Sequence, residues 1–150
     1  MWQQVLLVSV VTLSSVALAC VPTGVVTTTT VCCTPLTISS MPKVSPVTPN
    51  LNFEQCSVLR RISSACPTTG YLVCSPAPDT NPNSVSVQAI SAAGGEIAQA
   101  SSGVQATLRL FCVNGAWKTT AAGTGLTVAS VSCSQTGSKG RDFENQDAGK

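Results

Sequence analysis

The sequence predicts a small all-β domain, an antiparallel sandwich-like fold with a disordered N-terminal arm and a disordered C-terminal tail. Apolar and polar residues alternate from residue 104 to residue 112, which is typical of a half-buried strand. Asn114-Gly115 follows this stretch, and both residues tolerate the positive φ that a type I′ hairpin turn requires. Eight cysteines accompany only 4% aromatic residues, so we expect disulfides to supply stability that a thin apolar core cannot.

Residues 1–19 read as a secretory signal peptide. Residues 5–13 are mainly apolar, and Ala17-Leu18-Ala19 is a small-x-small cleavage site. A membrane anchor is disfavoured because a span needs about 20 predominantly apolar residues, and serines and threonines interrupt this short stretch. A lipid-modified Cys20 is a further alternative, although no basic residue precedes it. We therefore expect a secreted, extracellular chain that begins at Cys20 and keeps no stable membrane span.

Residues 20–50 form an arm rich in threonine, serine and proline, which carries Cys20, Cys32 and Cys33. Proline removes donors from a β-ladder, and the arm lacks the apolar period that would direct it to pack. We therefore expect an extended arm or linker, which is either a substrate for O-glycosylation or an unmodified spacer. The chain has no Asn-x-Ser/Thr sequon, so N-glycans are not expected.

Residues 51–133 are expected to form the disulfide-rich domain from a series of short strands. The strand candidates are 58–62, 71–74, 85–89, 96–100, 104–112, 116–120 and 126–133. In the fifth candidate the residues expected to face inward are Val104, Ala106, Leu108, Leu110 and Cys112, and those expected to face outward are Gln105, Thr107, Arg109 and Phe111. The apolar phase of the last candidate slips between Val128 and Val131, which indicates a bulge. Trp117 is the large aromatic available to cover the sheet, so we favour core packing for it.

Two stretches of the domain could have a functional role or a purely structural one. Arg60-Arg61 could be cut by a secretory convertase, but its position between two cysteines favours a solvated pair on a strand. The loop 75–83 has the spacing of the first ligands of a calcium loop but lacks the glycine and the glutamate that such a loop requires. Turn chemistry therefore explains the loop, and we expect no metal site.

Residues 134–150 are polar and mixed in charge, so we expect a disordered tail without a lipid-anchor signal.

The cysteines indicate a disulfide framework, because an even number in an exported chain is typical of one. A zinc site is disfavoured because the chain has neither a CxxC pair nor a histidine. We expect three or four disulfides, and sequence spacing alone leaves their pairing open. The eight candidates are Cys20, Cys32, Cys33, Cys56, Cys66, Cys74, Cys112 and Cys133.

The chain resembles the nematode six-cysteine extracellular domain family (the C-six domain). The resemblance lies in the ACVP that ends the signal peptide, the Thr/Pro-rich arm, the adjacent cysteines and the segment ATLRLFCVNGAW…VASVSC. It covers roughly residues 32–133. It implies a secreted β-rich domain of unknown molecular function with six framework cysteines.

The resemblance also implies a disulfide pairing, because the first and third cysteines of the family are thought to pair. Transferred by order, this joins Cys33, or alternatively Cys32, to Cys66. The remaining cysteines of the framework would then form two more bridges; they are Cys56, Cys74, Cys112 and Cys133. Cys20 and the spare member of the adjacent pair exceed a six-cysteine count. They would pair with each other or form an interchain disulfide through Cys20 or Cys32.

The sequence predicts no catalytic machinery and no cofactor. It contains no histidine, which removes the Ser-His-Asp and Cys-His arrangements. The acidic residues before the tail are Glu54, Asp79 and Glu96, which are widely scattered. A net charge of +2 with 9% charged residues gives no electrostatic case for nucleic-acid binding. We therefore expect a protein that is not an enzyme.

Two classes of function remain, and both involve an extracellular protein or glycan as partner. The first is a structural or interaction role for a rigid module. The second is a binding protein, such as a protease inhibitor that presents the loop 75–83 or a ligand of surface glycans. A glycan site would place an exposed aromatic beside an amide, and Trp117 near Asn114 is the candidate pair.

Overall fold

The computed structural model of the chain describes residues 31–55 and 57–137. These residues form two antiparallel sheets and no helix, so the predicted all-β, sandwich-like class is confirmed. The strands are β1 (Val58–Ser63), β2 (Thr69–Ser75), β3 (Val85–Ser91), β4 (Glu96–Ser102), β5 (Ala106–Val113), β6 (Ala116–Lys118) and β7 (Val128–Gln135).

The first sheet has four strands in the order β1-β2-β5-β6. The expected Asn-Gly hairpin joins β5 to β6: Val113 pairs with Ala116, and the two turn residues have φ of 52° at Asn114 and 78° at Gly115. Positive φ at both central positions is what a type I′ turn requires, so this prediction is confirmed. The return strand ends at Lys118 and is shorter than expected.

The second sheet has three strands in the order β4-β3-β7. β3 lies in the middle and is buried along its whole length. Its register with β7 shifts where Ile90 pairs with Ser130 and Ser91 pairs with Val128. One extra residue, Ala129, therefore stands in β7, which confirms the bulge that the slipped apolar phase predicts.

Two apolar residues that we expected within strands lie just before those strands and are exposed. Val104 is 76% exposed, because β5 begins only at Ala106. Leu126 is 61% exposed, because β7 begins at Val128. The other four inward positions of β5 are buried or half-buried, as predicted.

The core lies between the two sheets. The four-stranded sheet contributes Leu59, Leu72 and Leu110, which are fully buried. The facing side chains of the three-stranded sheet include Val87 and Val131, also fully buried. The strands that carry these residues alternate between inward and outward positions, so each sheet also has an outer face.

The expectation that the arm is an unpacked linker is wrong for residues 31–50. Leu36 and Met41 are buried in the core, and the backbone beyond them adds to the edge of β7. Val44 N donates to Val131 O at 2.8 Å, and Val131 N donates to Pro42 O at 3.0 Å. The prolines of the arm prevent a long regular β-ladder. They do not prevent the arm from packing side chains in the core and forming isolated backbone hydrogen bonds.

The packed unit is therefore longer than the predicted 51–133 domain at both ends. Gln135, assigned to the tail, is buried within β7, and Thr136 N donates to Ser84 O at 2.9 Å. The predicted signal peptide 1–19, the first part of the arm and tail residues 138–150 lie outside the described residues. Where the chain is described, no helix is long and apolar enough to cross a membrane.

Candidate functional site

Three disulfides join the described cysteines, and they correct the pairing inferred from the family resemblance. The bonded pairs, with their Cα separations, are Cys32–Cys66 at 5.2 Å, Cys33–Cys112 at 5.6 Å and Cys74–Cys133 at 5.5 Å. The favoured pair Cys33–Cys66 is wrong, and Cys66 bonds instead to the alternative partner Cys32. Neighbouring residues of an extended chain point in opposite directions, so Cys32 and Cys33 reach different partners.

Two of the disulfides attach the arm to the rest of the domain, and the third connects the two sheets. Cys32 bonds to the loop between β1 and β2, and Cys33 bonds to β5. Because Cys32 is bonded within the chain, the expectation of an interchain bond through it is also corrected. The third disulfide joins β2 to β7 and thus links the two sheets. Cys20 and Cys56 lie outside the described residues.

The arginine pair on β1 is divided between the two faces of its sheet. Arg61 is only 6% exposed, and its Nε donates to Met41 O at 2.7 Å. Arg60 points to the opposite face, where its guanidinium donates to Gln105 Oε1 at 3.2 Å. The expectation of a solvated pair is therefore wrong for Arg61, because side chains of adjacent strand residues alternate between faces.

Trp117 is a core residue and not an exposed platform. Its side chain is 6% exposed, and its Nε1 donates to Thr34 O at 3.0 Å. A Cβ at Gly70 would lie 2.6 Å from Leu36 Cδ1 and 3.1 Å from Trp117 Cη2, so this glycine admits both side chains against β2. Core packing, the favoured interpretation, is what the structure has, and Asn114 therefore has no exposed indole beside it.

A groove of about 480 Å³ lies at this end of the molecule, beside Trp117. Its lining is mostly small and hydroxyl side chains: Thr34, Ser39, Ser40, Gly115, Ala116, Trp117, Thr127 and Val128. One of its hydroxyls, that of Ser40, already donates to Pro35 O at 2.8 Å. The groove has no charged side chain in its lining, so it supplies no strong recognition chemistry.

The loop 75–83 is anchored at its base and exposed at its tip. Ala77 is buried, and its N–H donates to Gln135 Oε1 at 2.8 Å. Thr80 Oγ1 donates to Ala77 O at 2.6 Å, while Pro78 and Asp79 are exposed. No group of three or more potential metal ligands occurs in residues 31–55 or 57–137.

The outer face of the four-stranded sheet carries aromatic and cationic side chains. We call it the open face, and it consists of Arg60, Ile62, Tyr71, Arg109, Phe111 and Lys118. The register places Ile62 beside Tyr71 and Tyr71 beside Arg109. The Arg109 Cζ lies 4.9 Å from the centroid of the Phe111 ring and 6.0 Å from that of Tyr71. Tyr71 is 39% exposed and Ile62 is 41% exposed.

The outer face of the three-stranded sheet is covered by the arm, and we call it the covered face. Val47 N donates to Gln88 Oε1 at 3.1 Å, and Gln88 Nε2 donates back to Val47 O at 3.0 Å. Asn50 Nδ2 donates to Ser86 Oγ at 2.7 Å. Gln88, Ser86 and Asn50 are all buried, and the arm supplies hydrogen-bond partners for the first two. The buried hydroxyls of Ser132 and Ser134, on the same face, have no hydrogen-bond partner among the described residues.

The sequence predicts the outward positions of β5 but not the open face as a whole. Alternation places Arg109 and Phe111 outward, whereas the contact of Arg109 with Tyr71 depends on the pairing of β2 with β5. A usable signal was the absence of acidic residues: none of β1, β2, β5 and β6 contains Asp or Glu. The cations of this sheet therefore have no acidic neighbour within it.

The fold and its bonds define a small disulfide-crosslinked all-β protein. No protein-family model, no curated protein and no solved structure matches the chain. Its function is therefore inferred from its own residues.

Proposed function

We propose that this protein is a secreted extracellular module that acts by binding or by a structural role and not by catalysis. The observation that carries the proposal is the set of three disulfides, which tie the arm and both sheets into one unit. Structural disulfides persist in oxidising compartments and are rare in the cytosol. The apolar segment before Cys20 supplies a route to such a compartment.

The composition supports a role without catalysis. The chain has no histidine, so the commonest general base and the usual partner of a nucleophilic serine or cysteine are missing. The three acidic residues that precede the tail lie between the arm and β1, in the loop 75–83 and in β4. A rigid module that presents a surface is the role that remains.

We further propose that the chain is related to the six-cysteine extracellular domains that it resembles. Six cysteines are bonded in the described part of the chain. Cys66 bonds to Cys32, the alternative partner that the resemblance implies for it, and this supports the relationship. The bond between Cys33 and Cys112 departs from the implied set, in which Cys112 pairs with another framework cysteine.

Non-reducing peptide mapping of the secreted protein tests the proposal. We expect a mature N-terminus at Cys20 and peptides that contain the three bonded pairs. The same map reports the pairing of Cys20 and Cys56. Recovery of eight free thiols, or of a cytosolic chain that retains Met1, would contradict the proposal.

A protease inhibitor is a second candidate, favoured by the anchored loop 75–83. A rigid exposed loop loses little conformational entropy on binding, and this is how preorganised inhibitors gain affinity. The hydrogen bonds at Ala77 and Thr80 hold the base of this loop. A panel of purified proteases, assayed with the wild type and with the Pro78→Gly/Asp79→Gly variant, tests this candidate, and equal residual activity with and without protein would reject it.

A further inference from the structure

The guanidinium of Arg109 is held by aromatic rings and not by acceptors. Its Cζ lies 4.9 Å from the Phe111 centroid and 6.0 Å from the Tyr71 centroid. It makes no hydrogen bond or ion pair with any other residue that the structure describes. A guanidinium presents five N–H donors in a planar fork that fits two oxygens of an oxyanion. The rings restrict its motion, so less entropy is lost when a ligand binds.

Two further cations extend this positive surface across the sheet. Arg60 lies on β1 and Lys118 lies on β6, with Arg109 on β5 between them, each in a successive row of the register. Strands lie about 4.8 Å apart and two residues rise about 6.8 Å, so the backbone positions of successive cations are about 12 and 8 Å apart. This spacing suits a linear polyanion better than one compact anion.

The open face presents side chains and not backbone groups. Tyr71 is on β2, which has partners on both sides, whereas β5 pairs with β6 only at residues 111–113, so its edge beside Arg109 has no strand partner among the described residues. A peptide that adds a strand would bind at that edge, whereas the side chains of the open face project from the plane of the sheet. Recognition must therefore come from side chains, namely an exposed ring and cationic groups.

We infer that the open face binds a linear acidic polysaccharide. A carboxylate or sulfate group of the polysaccharide accepts hydrogen bonds from Arg109, while a sugar ring packs its C–H groups against Tyr71. Arg60 and Lys118 contact neighbouring anionic groups along the chain. The inference rests on the proposed function, because such a polymer is available only to a protein outside the cell.

Binding of the secreted, disulfide-bonded protein to immobilised polymers tests the inference. The probes are hyaluronan, which carries carboxylates alone, dextran sulfate, which carries sulfates alone, neutral dextran, and polyglutamate. We expect binding to hyaluronan or dextran sulfate, whichever anion the face prefers, and none to neutral dextran. Equal or tighter binding to polyglutamate than to either polysaccharide would overturn the inference in favour of an acidic protein.

Two variants of equal net charge locate the site. Arg109→Gln removes one positive charge from the open face, and Gln99→Glu adds one negative charge at an exposed position of β4 in the other sheet. We expect Arg109→Gln to weaken binding by about tenfold or more, as loss of a charge-assisted hydrogen bond would. Gln99→Glu should change binding by less than about twofold, the scale of a distant surface charge. Equal weakening by both would overturn the assignment of the site.

Tyr71→Ala separates ring stacking from charge, because it leaves the net charge unchanged. We expect it to weaken binding several-fold while circular dichroism and the thermal midpoint show a folded protein. Binding that does not change in Tyr71→Ala would remove the stacking part of the inference. Absence of binding by a wild type whose three disulfides are intact would overturn the inference alone, whereas free thiols would overturn the proposed function.

Discussion

The outer faces of the two sheets differ in solvent exposure, and the face with the polar side chains is the buried one. The covered face carries Ser86 and Gln88, yet both are buried beneath the arm. The open face carries Tyr71 and Ile62, yet both are exposed. The arm therefore covers a face on which it forms hydrogen bonds, and the buried side chain of Ile90 adds apolar area to that face.

On the covered face, the arm supplies hydrogen-bond partners for the buried side chains of Ser86 and Gln88. An amide group that is buried without a partner costs about 1–3 kcal/mol, so Gln88 could not be buried by an apolar segment. Val47 offers its backbone N–H and its backbone C=O to the same side chain. The open face has no comparable segment across it among the described residues, and its cationic groups face outward.

The largest effect is expected from the disulfide that links the two sheets. Cys74→Ala/Cys133→Ala removes a bond between residues 59 apart in sequence, and the chain-entropy model assigns such a loop about 4 kcal/mol of stability. Urea unfolding of the mature variant under non-reducing conditions measures the loss. An unfolding midpoint equal to that of the wild type would show that strand pairing and the arm hold the sheets without this bond.

The second-largest loss of stability is expected on the covered face, where a buried glutamine can be compared with an exposed one at the margin. Gln88 and Gln99 pair across β3 and β4, but Gln88 is fully buried whereas Gln99 is exposed. We expect Gln88→Ala to lower the free energy of unfolding by about 2–3 kcal/mol, because Val47 loses partners for two backbone groups. The matched variant Gln99→Ala should stay within about 0.5 kcal/mol. Similar losses from both variants would show that the arm does not depend on this contact.

A smaller effect is expected from the two arginines of β1. Arg61→Ala removes a buried charged group that donates to Met41 O, which should lower stability by about 2 kcal/mol. Arg60→Ala removes a half-buried group on the open face and should cost less than about 1 kcal/mol. Thermal unfolding of the two variants side by side gives the difference. A larger loss for Arg60 would reverse the assignment of the two faces.

The smallest effect on stability is expected at the centre of the open face. Arg109→Gln removes the contacts with the rings of Tyr71 and Phe111, and exposed cation–π contacts contribute about 0.5–1 kcal/mol. Unfolding in urea should therefore differ from the wild type by no more than this amount. A loss above about 2 kcal/mol would mean that Arg109 is mainly a structural residue.

Local features of the fold could be predicted from the sequence because they depend on neighbouring residues. The alternation of β5, the Asn114-Gly115 turn and the bulge in β7 each follow from the φ or the side-chain period of a short stretch. Val104 shows the limit of this reasoning. It continues the alternating pattern, but the β5 ladder begins two residues later, at Ala106.

The arm and the disulfide map could not be predicted in the same way. Cys33 and Cys112 are 79 residues apart, and nothing in their immediate neighbours specifies that they meet. The packing of Leu36 against Gly70 is likewise a contact between distant segments. Composition alone favoured a linker for residues 31–50, because a segment rich in threonine and proline is expected to pair weakly as a strand. Composition does not indicate which distant residues such a segment packs against.

The sequence by itself determined the β-rich character, the hairpin and a chemistry without histidine, since these depend on residue type and on spacing over a few positions. Only the tertiary structure decided which cysteines bond, which sheet β7 joins and where Tyr71 meets Arg109. The physical reason is that these contacts form when segments distant in the chain pair or pack, and their free energies depend on a geometry that no short stretch contains.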